Sequence, residues 1–361
     1  MNIAEILEKA TDNERISEKE ALILLKSEEN QFFEIAKIAN EIRRKKVGDI
    51  VTYVHNRNIN YTNICIGSCK FCAFRRRKWE KEGYLLSLEE IKRKAVEALH
   101  AGVTELCIQG GLHPDINLEF LGDIIKTVKE VSNFHIHAFS PAEIYHISKK
   151  SKESIKETLS YLKSCGLDSI PGTSAEILSD DVRMEICPDK IDTKTWIRII
   201  RLAHRLGIPS TATIMYGHVE KPEHVVKHLK IIRDIQDDTG KFTEFIPLSF
   251  IPYRTELFKK NCMGASSLYD AKIFAVSRIF LDNFLNIQSS WVKLGKKLAQ
   301  FMLYCGANDL GGTLMEENIS SSTGITVKIP SVKELEMLIR QAGRIPKQRD
   351  TLYSHQAPKK I

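Results

Sequence analysis

Between Ile50 and Leu310, short β-prone runs alternate with helical ones eight times. The runs are Ile50–Val54, Thr104–Gln109, Phe134–Phe139, Leu167–Ile170, Ser210–Met215, Thr243–Leu248, Phe284–Gln288 and Ala307–Leu310. Most stop at Gly or Pro: Gly110-Gly111, Pro141, Pro171-Gly172 and Gly217. Helical segments such as 87–101, 193–206, 222–237 and 331–342 lie between or after them, and Ser87 with Glu90 forms a capping-box pattern. Such alternation predicts an α/β fold with a parallel sheet, and eight units close into a (β/α)8 TIM-type barrel, or a partial one where the spacing is irregular. The first 48 residues predict two helices packed on that barrel, one opened by Ser17 and Glu20 and one running from about 30 to 46 and stopping at Gly48. The expected division is a helical extension over 1–48, a barrel over 49–345 and a tail over 346–361.

Strand alternation also sorts the side chains. It turns Cys107, Gln109, His135, His137, Glu244, Asn286 and Gln288 toward the barrel lumen. Polar groups near strand ends suit a polar substrate, because a barrel filled only for stability carries Val, Ile and Leu there. His137, Glu244, Gln288 and Asn308 are the candidate substrate contacts, though a satisfied hydrogen bond would explain any one of them.

The loop after the first strand holds Cys65, Cys69 and Cys72, spaced C-x3-C-x2-C. Positions i, i+4 and i+7 would also make one buried face of a helix, but Gly67 and Ser68 favour a loop. Structural zinc wants four ligands, usually in C-x2-C pairs. Thiolates are the usual ligands of iron–sulfur clusters, and three of them leave one iron of a 4Fe–4S cluster open to a small molecule. The other five of the eight cysteines are scattered, as expected of isolated thiols in a reducing compartment.

The chain has 361 residues, 43% of them hydrophobic and 27% charged, as in a globular protein. It holds no 18-residue apolar run and no signal-like N-terminus, so no membrane partner and a cytoplasmic location are expected. The net charge of +7 invites a nucleic-acid partner, but the bases are spread along helices that also carry acids, and none is expected. Only Arg75-Arg76-Arg77-Lys78 is dense, and it suits either a solvated loop or a docking point for an acidic reductase.

Nine motif stretches carry a resemblance covering about residues 48–320. They are 60–65, 69–74, Gln109-Gly-Gly-Leu-His-Pro-Asp115, His135-Ile-His-Ala-Phe-Ser-Pro141, 166–173, 213–218, 243–248, Asn286-Ile-Gln-Ser-Ser-Trp-Val-Lys-Leu-Gly295 and Gly306-Ala-Asn-Asp-Leu-Gly-Gly-Thr313. Together they resemble the radical S-adenosylmethionine (SAM) enzymes of deazaflavin (coenzyme F420) and futalosine-pathway menaquinone biosynthesis. The resemblance implies one 4Fe–4S cluster on Cys65, Cys69 and Cys72, with SAM on the open iron. It implies Phe71 near the adenine, Gln109, Gly110 and Gly111 at the methionine moiety, and Ser140 and Glu143 near the ribose or amino group. Thr213, Met215, Gly217 and Glu220 loosely match a further glycine-rich SAM motif. On the deazaflavin branch the implied substrates are L-tyrosine and 5-amino-6-(D-ribitylamino)uracil. Tyrosine would lose hydrogen from its amino group and cleave between Cα and Cβ, and its 4-hydroxybenzyl group would add to the uracil. The alternative is a futalosine-pathway enzyme, a dehypoxanthine futalosine cyclase or aminofutalosine synthase. Implied protein partners are a second radical SAM protein that closes the deazaflavin ring (FO synthase subunit 1) and an electron donor such as ferredoxin or flavodoxin.

Overall fold

The computed structural model describes residues 2–354. Three helices precede the sheet, at Ile3–Thr11, Glu18–Leu25 and Glu29–Val47, one more than the sequence pattern predicts. The additional one is opened by a reciprocal cap between Asn2 and Glu5, which satisfies two of its first amide donors. The 29–47 helix packs along helix Ser267–Phe280, and the 18–25 helix against Pro222–Thr239, so this extension thickens the outer helical layer.

The strands are β1 (Ile50–Val54), β2 (Asn56–Asn60), β3 (Glu105–Gln109), β4 (His135–Ala138), β5 (Ser210–Tyr216), β6 (Phe242–Ser249), β7 (Asp309–Gly312) and β8 (Ile345–Gln348). β1 and β2 are one stave interrupted only at His55. All pairings between strands are parallel. β2 pairs with β3 and β3 with β4, so that Asn58, Cys107 and His137 share one row. His137 then bridges to Ser169, Ile170 to Ser210, Phe245 to Ile287 and Gln288 to Asp309, while β5 pairs with β6 and β1 with β7. Those bonds complete a ring of eight staves, a closed (β/α)8 barrel.

The fourth and seventh staves shrink to short bridges at 169–170 and 287–288. Just past the fourth the backbones approach closely, and a Cβ on Gly172 would stand 2.1 Å from the Thr211 carbonyl oxygen, so only glycine fits there. The apolar core lies between the ring and its helices, with Ile59, Leu106, Ile108, Ile136, Ile214 and Phe245 fully buried.

The expected tail starts inside β8, which pairs with four of the five residues of β1, Ile50 to Tyr53. The chain then turns into the barrel. Arg349, Thr351 and Tyr353 are buried beneath the lumen and hydrogen-bond Asp309, Glu105 and Glu244 on three different staves. The remainder of the expected tail, 355–361, lies outside the described residues. Among the described residues, no helix is long and apolar enough to cross a membrane.

Candidate active site

Two cavities lie in line along the barrel. The upper one, about 230 Å³, opens where β2 and β3 end. Cys65, Cys69 and Cys72 all line it, together with Phe71, Gln109, Gly110, Gly111, Ser140 and Glu143. The sulfur atoms of Cys65 and Cys69 flank one point: a Cβ built on Gly67 would lie 3.4 Å from the first and 4.0 Å from the second. The Cys65 sulfur accepts N–H bonds from Gly67 at 3.4 Å and Leu112 at 3.3 Å. Burial pushes the Cys69 thiol up to about 12, so its thiolate needs a compensating cation. Three cysteines lining one cavity, two with their sulfurs about one point and one of those sulfurs backed by N–H donors, are a donor set of the chemistry a three-thiolate cluster takes, although among the described residues the side chains are not gathered about a single ion site.

The cysteine loop is held by its backbone and by its arginines. Cys65 donates to the Arg76 carbonyl, Ile66 to Leu112 and Lys70 to Ile186. Arg75 donates to the Gly67 carbonyl at 2.8 Å, Arg76 to Ala73 at 3.0 Å and Arg77 to Cys65 at 2.9 Å. The dense basic run thus turns three guanidinium groups back onto its own loop. Charge counting could not reveal this, because it does not say which acceptors lie within reach.

The glycine pair is required by packing. A Cβ on Gly110 would lie 2.6 Å from the Tyr61 ring, and one on Gly111 would lie 2.3 Å from the Ile64 carbonyl oxygen. Gly111 donates to the Thr62 carbonyl, and Gly110 to Glu143 at 2.9 Å. Glu143 also accepts from the Tyr61 hydroxyl at 3.0 Å and from the Ser140 amide and hydroxyl at 2.8 and 2.6 Å. Burial raises its pKa against those four donors. Ser140 and Glu143 face the upper cavity, but in this structure they satisfy each other as the cap of helix Pro141–Ser151. Lys190, which no sequence signal marked, pairs with Glu176 and lies over the Phe71 ring at 5.5 Å. Met215, Gly217 and Glu220 do not line the upper cavity, and Glu220 instead caps its own turn through the Gly217 and His218 amides.

The lower cavity, about 250 Å³, is the barrel lumen. His137, Glu244 and Gln288 line it as strand alternation predicts. Asn308 does not. Its amide accepts from Arg278 of the outer layer and from the Ile287 backbone, and donates to Asn286. Asp309 beside it faces in, so alternation sends Asn308 out, and the strand assignment was one residue out of phase. The floor is an ionic network. Arg349 donates to Asp309 at 2.6 Å and to Glu244 at 3.2 Å, and the Tyr353 hydroxyl donates to Glu244 at 2.8 Å. Burial and the nearby Asp309 carboxylate outweigh Arg349 and push Glu244 up to about 7. Burial pushes His137 down to about 4, so its ring is neutral against the Ser169 hydroxyl.

Gln109, Thr173 and Ile319 line both cavities. Gln109 accepts from the Thr173 hydroxyl at 3.2 Å and donates to the Cys107 sulfur at 3.3 Å, which fixes it as a partition one side chain thick.

Comparison with known proteins fits this arrangement. Residues 59–232 match the Radical SAM superfamily, and residues 239–361 match the CofH/MqnC C-terminal region. A 5-amino-6-(D-ribitylamino)uracil–L-tyrosine 4-hydroxyphenyl transferase of Methanocaldococcus jannaschii is 54% identical over 94% of this chain and 96% of its own length. One of the same name from Methanococcoides burtonii is 52% identical over 93% and 95%. Among solved structures, methylornithine synthase superposes with a TM-score of 0.74 at 18% identity, covering 95% of this chain and 97% of that one. The FeFe-hydrogenase maturase HydG from Carboxydothermus hydrogenoformans superposes with a TM-score of 0.77 at 18% identity, covering 98% and 81%. These two share the fold. The chain belongs to the radical SAM superfamily and, within it, to the family of these 4-hydroxyphenyl transferases.

Proposed function

We infer that this chain cleaves L-tyrosine and transfers its 4-hydroxybenzyl group to 5-amino-6-(D-ribitylamino)uracil, the reaction named for its relatives and a step toward the deazaflavin of coenzyme F420. The observation that carries this reading is the pair of cavities divided only by Gln109, Thr173 and Ile319.

Cys65, Cys69 and Cys72 would hold a 4Fe–4S cluster in the upper cavity, with SAM on its open iron. That group supplies the 5′-deoxyadenosyl radical which removes hydrogen from tyrosine. Everything else falls to the protein. Phe71, Leu112 and Ala142 give the upper cavity apolar walls that limit water. Gln109, Gly110, Gly111, Ser140 and Glu143 shape the SAM side of the partition. Gln288 and Asn58 offer amide groups to polar substrates in the lumen. Tyrosine's amino group would have to meet the SAM side where the two cavities join, at Gln109, Thr173 and Ile319, because hydrogen transfer needs the reacting atoms in contact.

With one C-x3-C-x2-C motif, the chain would carry one half-reaction and release its adduct to the second radical SAM protein, FO synthase subunit 1. Reducing equivalents would come from a ferredoxin- or flavodoxin-type donor.

The test is an anaerobic assay of reconstituted protein with reductant, SAM, tyrosine and the ribitylaminouracil. The expected result is 5′-deoxyadenosine formation that depends on tyrosine, together with the coupled adduct by mass spectrometry. Turnover of a futalosine-pathway substrate without that adduct would overturn the reading.

A further inference from the structure

Three side chains that can carry positive charge line the lumen: His137, Arg349 and Lys293. Two are accounted for. Arg349 is neutralised by Asp309 and Glu244 in the floor, and His137 is buried against Ser169. Lys293 forms no ion pair among the described residues, and its ammonium makes one hydrogen bond, to the Ser320 hydroxyl at 3.0 Å. Ser320 lines the lumen and not the outer groove that Lys293 also borders, so the ammonium sits on the lumen side. An ammonium has three donors, and two of them remain unused here.

Its neighbours share that condition. Lys293 lies on the short helix Trp291–Leu294, which directly follows the seventh stave. The Gln288 side-chain amide and the Ser290 hydroxyl line the same cavity and make no hydrogen bond among the described residues. A cation with two unused donors, an amide and a hydroxyl therefore line one cavity from six consecutive positions, and among the described residues the amide and the hydroxyl have no side-chain hydrogen bond. Burial lowers the Lys293 pKa, and Glu317, Cys72 and Glu176 act against it. Its partner Ser320 is the chain neighbour of Ile319, which lines both cavities, so the Lys293 ammonium lies beside the junction of the two.

We propose that Lys293 binds the α-carboxylate of the tyrosine substrate, with the Gln288 amide and the Ser290 hydroxyl as further donors. This rests on the functional reading above. If hydrogen is taken from the amino group, that group must lie against the partition. The carboxylate, one carbon away, is then at the junction as well, where Lys293 is and Arg349 is not. A carboxylate satisfied by a charged donor and two neutral ones is well matched in a low-dielectric site.

The test compares tyrosine with tyrosinamide, which keeps the amino group and phenol and loses the charge. Wild-type enzyme should favour tyrosine in KM by about 10- to 100-fold, the range for one charge-assisted hydrogen bond. Lys293→Met should raise KM for tyrosine by a similar factor and abolish the preference, while KM for the uracil and the iron content stay at wild-type values. An unchanged tyrosine KM, or a preference that survives in Lys293→Met, overturns the proposal. A second measurement needs no variant. As inhibitors of wild-type enzyme, 3-(4-hydroxyphenyl)propionate should bind more tightly than tyramine, and the reverse order overturns the proposal. A wild-type enzyme that makes no tyrosine-dependent 5′-deoxyadenosine refutes the functional reading itself, which none of the other outcomes does.

Discussion

Glu143 ties the glycine turn to the start of a helix, and removing it should loosen the upper cavity in a measurable way. Its carboxylate accepts four bonds: from Tyr61, from Gly110, and two from Ser140. Glu143→Ala strands the two backbone donors, Gly110 N–H and Ser140 N–H, in a buried site. Each stranded donor costs about 1–3 kcal/mol, and the lost cap adds about 1 kcal/mol, so about 3–7 kcal/mol is expected. Glu143→Gln keeps an acceptor for Tyr61 and Gly110 but turns an NH2 toward the Ser140 amide, which should cost only about 1–2 kcal/mol. Unfolding entropy of about 2.1 cal/mol/K per residue gives roughly 0.76 kcal/mol/K for a chain of this length. The expected Tm losses are therefore about 4–9 °C for Ala and about 1–3 °C for Gln. Anaerobic thermal melts followed by circular dichroism would measure them. An Ala variant melting within about 1 °C of wild type, or a Gln variant melting below the Ala variant, would refute the argument that this carboxylate fixes the turn.

Three further outcomes follow from the same geometry. Gly111→Ala places a methyl 2.3 Å from the Ile64 carbonyl oxygen and 2.9 Å from the Cys65 Cβ, so the cysteine loop must move. Reconstituted Gly111→Ala should retain little iron with unchanged secondary structure, and full iron content would contradict this. Glu244 is pushed from 4.5 up to about 7 in the folded state, so its stabilising contribution is complete below about 4.5 and is lost as pH rises through about 7. The loss is of the order of 3 kcal/mol, and Glu244→Gln, which cannot ionise, should gain stability relative to wild type as pH rises from about 5 to 8. Parallel melting curves across that range would sink the assignment. Gln288→Ala should lower kcat/KM for tyrosine by about 10-fold while iron content is preserved, and unchanged turnover would remove Gln288 from the site.

Local pattern revealed what is local. The period of apolar residues marked the eight staves, and alternation correctly turned His137, Glu244 and Gln288 inward, because side-chain direction along a strand depends only on phase. Asn308 failed for the same reason: an error of one residue reverses the face. The 345–353 segment was not legible at all. It is polar, contains Pro346 and looks like a tail, and its role depends on Arg349 meeting Glu244 across 105 positions and Asp309 across 40. No periodicity encodes such a meeting. Lys190 and Lys293 were missed because an isolated lysine is ordinarily a solvated surface group. What distinguishes them is enclosure, a property of the assembled barrel.

Polar satisfaction is distributed unevenly along the barrel, and that gradient separates stability from function. At the floor every charged group has partners: Arg349 with two acids, Tyr353 with the same two, and Glu105 with Thr351 and Asn56. The floor can therefore remain closed with nothing bound. Toward the open end the pattern reverses. The side-chain oxygens of Asn58 and Asn60 are buried without a donor, and Gln288, Ser290 and two of the three Lys293 protons lack partners among the described residues. Each buried orphan costs about 1–3 kcal/mol in the unliganded protein. Other buried orphans lie outside the two cavities, on residues such as Ser151, Thr158, His228 and Ser277, but Asn60 lines the upper cavity, and Asn58, with the unpaired groups of Gln288, Ser290 and Lys293, lines the lumen, where a ligand can reach them. A ligand that supplies the missing donors and acceptors recovers this cost on binding, and one that lacks them does not. Selectivity for a substrate rich in amide, hydroxyl and carboxylate groups follows from where the fold leaves its hydrogen bonds unmade.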